Sequence, residues 1–178
     1  MLEDLHTVRL HLCHPTPGDL HDYLAMHNDP RVMATLGGVR SDEHSRQAFQ
    51  RHLDQWAAHG VGWWILRDRA TGQFIGRGGL RHVTIDGPDK VEVGYGLLPA
   101  FWGRGLATEL ATESARVGFE VLKLPALVSF ALPTNLASRR VMEKVGFRYE
   151  RDITYANLPH VLYRLSAADA GYGTRRIR

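Results

Sequence analysis

The stretch VEVGYGLLPAFWGRGLATEL, residues 91–110, decides the fold of this chain. An apolar strand runs into a turn that contains two glycines, and a helix follows directly. Gly103 and Gly105 let the backbone come close to a ligand, because a side chain there would block the approach. The first amides of the helix have no intrahelical partners, and the positive end of the helix dipole favours an anion. The stretch therefore predicts a turn that binds a pyrophosphate.

Two common phosphate-binding motifs do not fit this turn. A P-loop needs a lysine before its Ser or Thr, whereas Ala107 precedes Thr108 here, so hydrolysis of a nucleoside triphosphate is not expected. The GxGxxG spacing also fails, because Thr108 stands where the third glycine belongs. A Rossmann-type dehydrogenase, which would bind NADH, remains only a third alternative.

The turn resembles motif A of the GNAT superfamily of N-acetyltransferases, whose signature is Gln/Arg-x-x-Gly-x-Gly/Ala. Gly105 and Ala107 match the signature, while Trp102 stands where the Gln or Arg normally is. The Trp-Gly-Arg-Gly string, an upstream Glu-x-Gly-Tyr and a downstream Ala-Thr-Glu resemble the ribosomal-protein N-acetyltransferase branch. The resemblance covers roughly residues 6–165.

The pattern of apolar residues along the chain predicts an α/β fold. Strands are expected over residues 7–12, 61–67, 74–85, from 91 onward, 124–131, 147–155 and 160–165, and helices over 16–28, 41–60, after the glycine turn, and 135–144. This order matches the GNAT fold. The resemblance implies a central mixed sheet with helices on both faces and strands that splay apart at the coenzyme A site.

Length and composition are those of one globular domain. We expect residues 1–166 to form it and residues 167–178, with two glycines and three arginines, to be a mobile tail. The 22 basic and 19 acidic residues give a net charge of +3, which is too small to argue for a nucleic-acid partner. A homodimer is the default expectation for the assembly.

Cysteine and histidine usage predicts a cytoplasmic protein without a metal site. Cys13 is the lone cysteine, and neither a leader nor a membrane-spanning stretch is evident. His11, Cys13 and His14 form the densest group of metal-ligating types, but His14 would point away from the other two on a strand. No second ligand pair has zinc-like spacing, so we expect no metal.

The resemblance implies that acetyl-CoA is the co-substrate and that backbone groups hold it. Backbone groups of Leu97 and Leu98 are implied to pair with pantetheine, and an amide there would face the thioester oxygen. The residues implied to hold the pyrophosphate are Gly103, Arg104, Gly105, Leu106, Ala107 and Thr108.

Glu92 is the first candidate for the general base that deprotonates the amine. On a regular strand it would share a face with Gly94 and Gly96, whose missing side chains would leave a trough beside the carboxylate. The alternative is a cross-strand ion pair with Arg81. His82 is a second candidate base, since an unperturbed histidine titrates near neutral pH.

The string Asn135-x-x-Ser138 followed by Gly-Phe resembles the ribosomal-protein branch, where the Asn contacts pantetheine and the Ser lies near the sulfur. Many relatives carry a tyrosine seven residues after the Asn to protonate the departing thiolate, but Met142 stands there. Ser138 is therefore implied as the replacement, directly or through water. A plain helix N-cap for Asn135 and a plain helix serine for Ser138 stay open as alternatives.

The function that these residues predict is transfer of an acetyl group from acetyl-CoA to a primary amine by direct attack in a ternary complex. The acceptor is a protein N-terminus or a small molecule, chosen by the segments 32–40 and 155–160. The alternative is a non-catalytic acyl-CoA binding module, which the methionine at position 142 favours.

Overall fold

A computed structural model describes residue 2 and residues 4–171. Its helices and strands are β1 Leu5–His6, β2 Leu10–Cys13, α1 Leu20–His27, α2 Pro30–Met33, α3 Asp42–His59, β3 Trp63–Asp68, β4 Phe74–Thr84, β5 Asp89–Leu97, α4 Leu106–Arg116, β6 Ala126–Ala131, α5 Leu136–Val145, β7 Arg148–Tyr155 and β8 Leu158–Ser166. In this part of the chain, the strands form one eight-stranded sheet in the order β1-β2-β3-β4-β5-β6-β8-β7. The predicted mixed α/β sheet is confirmed.

Most predicted elements lie where the sequence placed them, with three corrections. The first strand is broken into β1 and β2, because the Thr7 amide donates to the Leu10 carbonyl and forms a turn. The short helix α2 was not predicted, although Asp29 accepts from the Arg31 amide and Pro30 occupies the first helical position. Residues 167–171, which the sequence assigned to a mobile tail, are in contact with the domain, since the Ala167 amide donates to the Pro125 carbonyl and Ala167 packs on the core. Residues 172–178 lie outside the described part of the chain.

Helices cover both faces of the sheet and bury different apolar clusters. Leu110 of α4 and Met142 of α5 pack on one face with Leu80 and Val93. The other face, here called the α1–α3 face, carries one cluster around Tyr23, Phe49 and Ile65 and a separate one around Val83, Val128 and Leu162. The polar side chains of Arg77, Arg81 and Glu92 occupy the same face of β4 and β5.

The parallel strands β5 and β6 separate after a single paired position, Glu92 with Val128. Just beyond it the Ser129 hydroxyl donates to the Val93 carbonyl at 2.8 Å. On its other edge β6 is paired with β8 along its full length, Ala126–Ala131. The expected splay between the two strands is confirmed.

Candidate functional site

The turn before α4 presents unused backbone donors. Gly103 and Gly105 both adopt left-handed backbone conformations, with φ of 70° and 77°, and Gly105 is the N-cap of α4. The Glu109 amide makes the first helical bond, to the Gly105 carbonyl. Within the described residues, no protein acceptor takes the amides of residues 103–108. A Cβ built on Gly103 meets no heavy atom within 4 Å, so the space in front of the turn is open.

Arg9, which the sequence analysis missed, lies against this turn. Its Nη1 donates to the Arg104 carbonyl at 2.7 Å, and its Nη2 is 3.5 Å from a Cβ built on Gly105. The Arg104 guanidinium instead packs over the Phe101 ring. An open groove of about 590 Å³ runs beside the turn and is lined by Arg9, Thr108 and Lys144 among others. Arg9 could not be found from the motif, because the β1–β2 turn that carries it is distant in the sequence.

The edge of β5 that faces the gap between β5 and β6 carries free backbone groups. They are not all of the groups that the sequence predicted to bind pantetheine. The Leu98 amide donates to the Ile75 carbonyl at 2.8 Å, so it is not available to pantetheine. Antiparallel pairing alternates, so Tyr95 and Leu97 direct their backbone groups away from β4 and toward the gap. The Leu97 carbonyl accepts from the Trp102 indole at 2.8 Å. The Leu97 amide and both Tyr95 groups therefore line the gap, and the expectation for Leu98 is corrected.

A pair of hydroxyl groups connects β5 to the start of α5. Tyr95 Oη lies 3.0 Å from Ser138 Oγ and also donates to the Ser138 carbonyl at 3.1 Å. Burial raises the pKa of Tyr95 to about 12, so its hydroxyl keeps its proton at neutral pH. Asn135 caps α5 by accepting from the Ser138 amide, and Met142 is buried in the core. Tyr95 was quoted in the sequence only as part of a motif and was missed as a site residue.

Glu92 is buried and forms an ion pair with Arg81, the alternative that the sequence left open. The pairing register of β4 and β5 is regular, so Glu92 does share a face with Gly94 and Gly96. The expected trough is narrowed by neighbouring side chains. A Cβ on Gly94 would meet the Trp63 ring at 2.7 Å and Glu92 Oε1 at 2.9 Å, while one on Gly96 would meet the Met26 methyl at 2.8 Å.

His82 does not join Glu92. Arg81 lies directly opposite Glu92 in the register, whereas His82 lies opposite Val91 on the other face of the sheet. The His82 ring stacks on His59 with centroids 4.2 Å apart. Burial, followed by the neighbouring His59, lowers its pKa. His82 is thus neutral at pH 7 but placed away from the gap, which corrects its assignment as a base.

The two segments expected to choose the acceptor meet above the α1–α3 face. A Cβ built on Gly37 would lie 3.5 Å from Leu158 Cδ1, so the segment 32–40 touches the β7–β8 turn. Leu36 of the same segment is 3.4 Å from a Cβ built on Gly96. Together these loops form a cover over the place where β5 leaves β6.

The residues that come close enough to share a metal ion are not the three that the sequence grouped together. Ligand atoms of Asp4, His11 and Cys13 all lie within 4.8 Å of one another, so Asp4 takes the place expected for His14. Burial and then Asp4 raise the pKa of the Cys13 thiol to about 11, which disfavours the thiolate that a metal would need.

The sequence matches a family model described as an acetyltransferase (GNAT) domain over residues 9–148, most of the chain. The chain belongs to the GNAT acetyltransferase family. GNAT acetyltransferases use acetyl-CoA, so the chain is an acetyl-CoA-dependent acetyltransferase. None of the helices in residues 4–171 is long and apolar enough to cross a membrane.

Two curated relatives are similar over most of this chain. The uncharacterized protein YkkB of Bacillus subtilis is 32% identical over 136 residues, which are 76% of this chain and 79% of YkkB. The FsC-acetyl coenzyme A-N(2)-transacetylase of Aspergillus fumigatus is 32% identical over 158 residues, which cover 82% of this chain and 65% of that protein.

Solved structures share the fold. An acetyltransferase from Agrobacterium tumefaciens superposes with a TM-score of 0.82 at 28% identity, covering 93% of this chain and 95% of that one. A ribosomal-protein-S5-alanine acetyltransferase from Vibrio fischeri gives a TM-score of 0.71 at 18% identity, covering 92% and 96%. At that identity the second likeness concerns the fold alone.

Proposed function

We propose that this protein transfers the acetyl group of acetyl-CoA to a primary amine by direct attack in a ternary complex, as a single domain of the cytoplasm. One observation carries the proposal: the free amides of residues 103–108 stand next to the gap between β5 and β6. Free amides at a helix N-terminus bind phosphate, and an open strand edge binds the amides of an extended chain. Coenzyme A offers both groups in one molecule.

The cofactor is held mainly by the backbone. The amides of Gly103, Arg104, Gly105, Leu106, Ala107 and Thr108 face the pyrophosphate, and Arg9, which pairs with Glu109, holds the turn by donating to the Arg104 carbonyl. The free groups of Tyr95 and Leu97 take the pantetheine arm, with the Asn135 side chain across the gap. The Leu97 amide is placed to stabilise the oxyanion that forms during attack.

Proton transfer uses both sides of the gap. The Tyr95 and Ser138 hydroxyls deliver a proton or a hydrogen bond to the departing thiolate, in the role that Met142 cannot fill. Glu92 accepts the amine proton through water at Oε1, the oxygen on the Gly94 side, while Arg81 holds Oε2. The acceptor amine enters from the α1–α3 face, between the loops that contain Leu36 and Leu158.

The test compares two glycines in a thiol-release assay. Both Gly103 and Gly87 have positive φ and no heavy atom within 4 Å of a Cβ built there, so an alanine meets no neighbouring atom at either position. Only the Gly103 methyl would occupy the phosphate site. We expect Gly103→Ala to raise the KM for acetyl-CoA by about tenfold or more, the loss of roughly one charge-assisted contact, and Gly87→Ala to leave it unchanged.

The same assay separates the enzyme from a non-catalytic binder. Acetyl-CoA is presented with a panel of peptides that have free N-termini and a panel of small primary amines. A binder would retain coenzyme A affinity and release no thiol with any of them. Equal KM values for Gly103→Ala and Gly87→Ala would instead contradict the placement of the cofactor.

A further inference from the structure

Arg77 is a buried cation without a counter-ion. It lies on β4 opposite Gly96 and is 5% exposed. Its Nε and Nη1 are buried without a hydrogen-bond partner, and it forms no ion pair within the described residues. Burial lowers its pKa to about 10, so it is still charged at neutral pH. A buried charge that lacks a partner is strongly unfavourable, which calls for an explanation.

A second donor without a partner lies beside Arg77. The Arg77 Cζ atom sits 3.9 Å from the ring centroid of Trp63, whose Nε1 is also buried and unpartnered. The Trp63 carbon bonded to that nitrogen, Cε2, is 3.2 Å from a Cβ built on Gly94, and Arg77 Cζ is 3.7 Å from one built on Gly96. These glycines are neighbours on one face of β5, so the free donors converge on one small region.

The charges around this region leave an excess of one positive charge. Arg81 is neutralised by Glu92, with which it pairs. His27 is buried with a free Nε2, and burial and then Arg77 lower its pKa to about 3, so it is neutral. The Arg77 guanidinium and the Trp63 indole can only donate hydrogen bonds. A ligand that satisfies them must bring acceptor atoms and negative charge.

We propose that the acceptor amine carries a carboxylate, as an amino acid does, and that Arg77 binds this carboxylate on the α1–α3 face. The inference rests on the proposed function and names its substrate class. The Arg77 guanidinium donates charge-assisted hydrogen bonds to the carboxylate, and the indole of Trp63 adds a further donor. The region lies next to Glu92 and the open edge of β5, so the carboxylate would anchor the amine close to the gap. Met26 and Leu36 close it above Gly96, which favours a small acceptor.

The test uses acceptors that differ only in this group. An amino acid, its amide and its decarboxylated amine are compared for each of several side chains, and kcat/KM is measured with saturating acetyl-CoA. We expect at least a tenfold preference for the carboxylate form in the unmodified protein. We expect Arg77→Gln to abolish the preference mainly through KM, and Arg77→Lys to keep part of it. Arg151→Gln is the control, because Arg151 pairs with Asp86 on the surface.

Each outcome has a definite meaning. If the decarboxylated amines are acetylated as well as the amino acids, or if Arg77→Gln keeps the preference, the inference is overturned while the proposed function stands. If no amine is acetylated, the proposed function fails, and the carboxylate site is then judged by thermal unfolding of the coenzyme A complex. Stabilisation by amino acids but not by their decarboxylated forms, lost in Arg77→Gln, supports the site, and equal shifts overturn it. The comparison within the unmodified protein decides even if a variant does not fold.

Discussion

At the scale of single residues, the donor that we propose for the departing thiolate is a pair of hydroxyl groups rather than a side chain at position 142. Met142 is 1% exposed and belongs to the core, so no acid stands at that position of α5. Tyr95 instead reaches Ser138 from β5. A search along the helix could find Ser138, but not Tyr95, because the contact spans the sheet and α5. For the same reason the sequence could not show that Trp63 reaches from β3 to narrow the trough expected beside Glu92.

We predict that Tyr95→Phe and Ser138→Ala each lower kcat by about 10²-fold, the size of one acid–base contribution, with little change in the KM for the amine. The double variant should be no slower than the slower single variant, because groups that act as a unit are not additive. Steady-state kinetics measure this. Tyr149→Phe serves as the control, since that hydroxyl donates to Asp152 on exposed β7. If the two losses of kcat multiply in the double variant, the two hydroxyls act separately.

At the scale of elements, the separation of β5 from β6 depends on few bonds. One ladder pair and the hydroxyl of Ser129 hold the strands together where they part. The sequence predicted the two strands from their apolar runs, and the resemblance supplied their splay. Neither indicated which side chain would satisfy the last carbonyl, because serines occur in many strands without such a role.

We predict that Ser129→Ala lowers the free energy of unfolding by about 1–3 kcal/mol, the cost of a buried carbonyl left without a donor. Ser114→Ala is a matched control, because its buried hydroxyl also donates to a carbonyl at 2.8 Å, that of Leu110. The Leu110 carbonyl lies inside α4 and keeps its helical bond, so this change should cost less than about 0.5 kcal/mol. Urea unfolding measures both. If Ser129→Ala lowers the free energy of unfolding as little as Ser114→Ala does, the Val93 carbonyl has another donor.

At the scale of the whole molecule, buried histidines couple stability to pH. Burial and Arg77 lower the pKa of His27 to about 3, and burial and nearby arginines also lower that of His52. Both therefore bind protons more readily in the unfolded chain, which titrates near 6.5. Their contribution to stability is complete above pH 6.5 and is lost as the pH falls toward the folded pKa.

We predict that His27 lowers the free energy of unfolding by about 1.4 kcal/mol per pH unit as the pH falls from 6.5 to 4, and that His52 adds a loss of the same sign. His27→Gln should remove one of these contributions and flatten the curve. His21→Gln on the exposed side of the same helix should leave the slope unchanged. Denaturant unfolding at a series of pH values gives the slopes. Parallel curves for the unmodified protein and His27→Gln would show that His27 takes up no extra proton on unfolding.

The fold was predictable as a whole, and the site only where the backbone forms it. Capping residues and apolar runs predicted the positions of the long helices and the strands. Ser41 and Gly60, for example, cap the two ends of α3 as expected. The turn at Gly103 and Gly105 was predictable because its left-handed backbone conformation favours glycine. Side chains that meet across the sheet, such as Arg81 with Glu92 or Arg77 with Trp63, depend on register and packing that single-sequence patterns leave open.

The single ladder pair between β5 and β6 has a mechanical consequence. The β1–β5 and β6–β8 parts of the sheet share one ladder pair within the described residues, beside the hydroxyl contacts of Ser129 and Tyr95 and the packing of α4 and α5, so few backbone hydrogen bonds hold this junction. A substrate that lies extended between β5 and β6 would give both strands the backbone hydrogen bonds that they do not make with each other. We expect acetyl-CoA bound there to add hydrogen bonds at this junction and so to stiffen it.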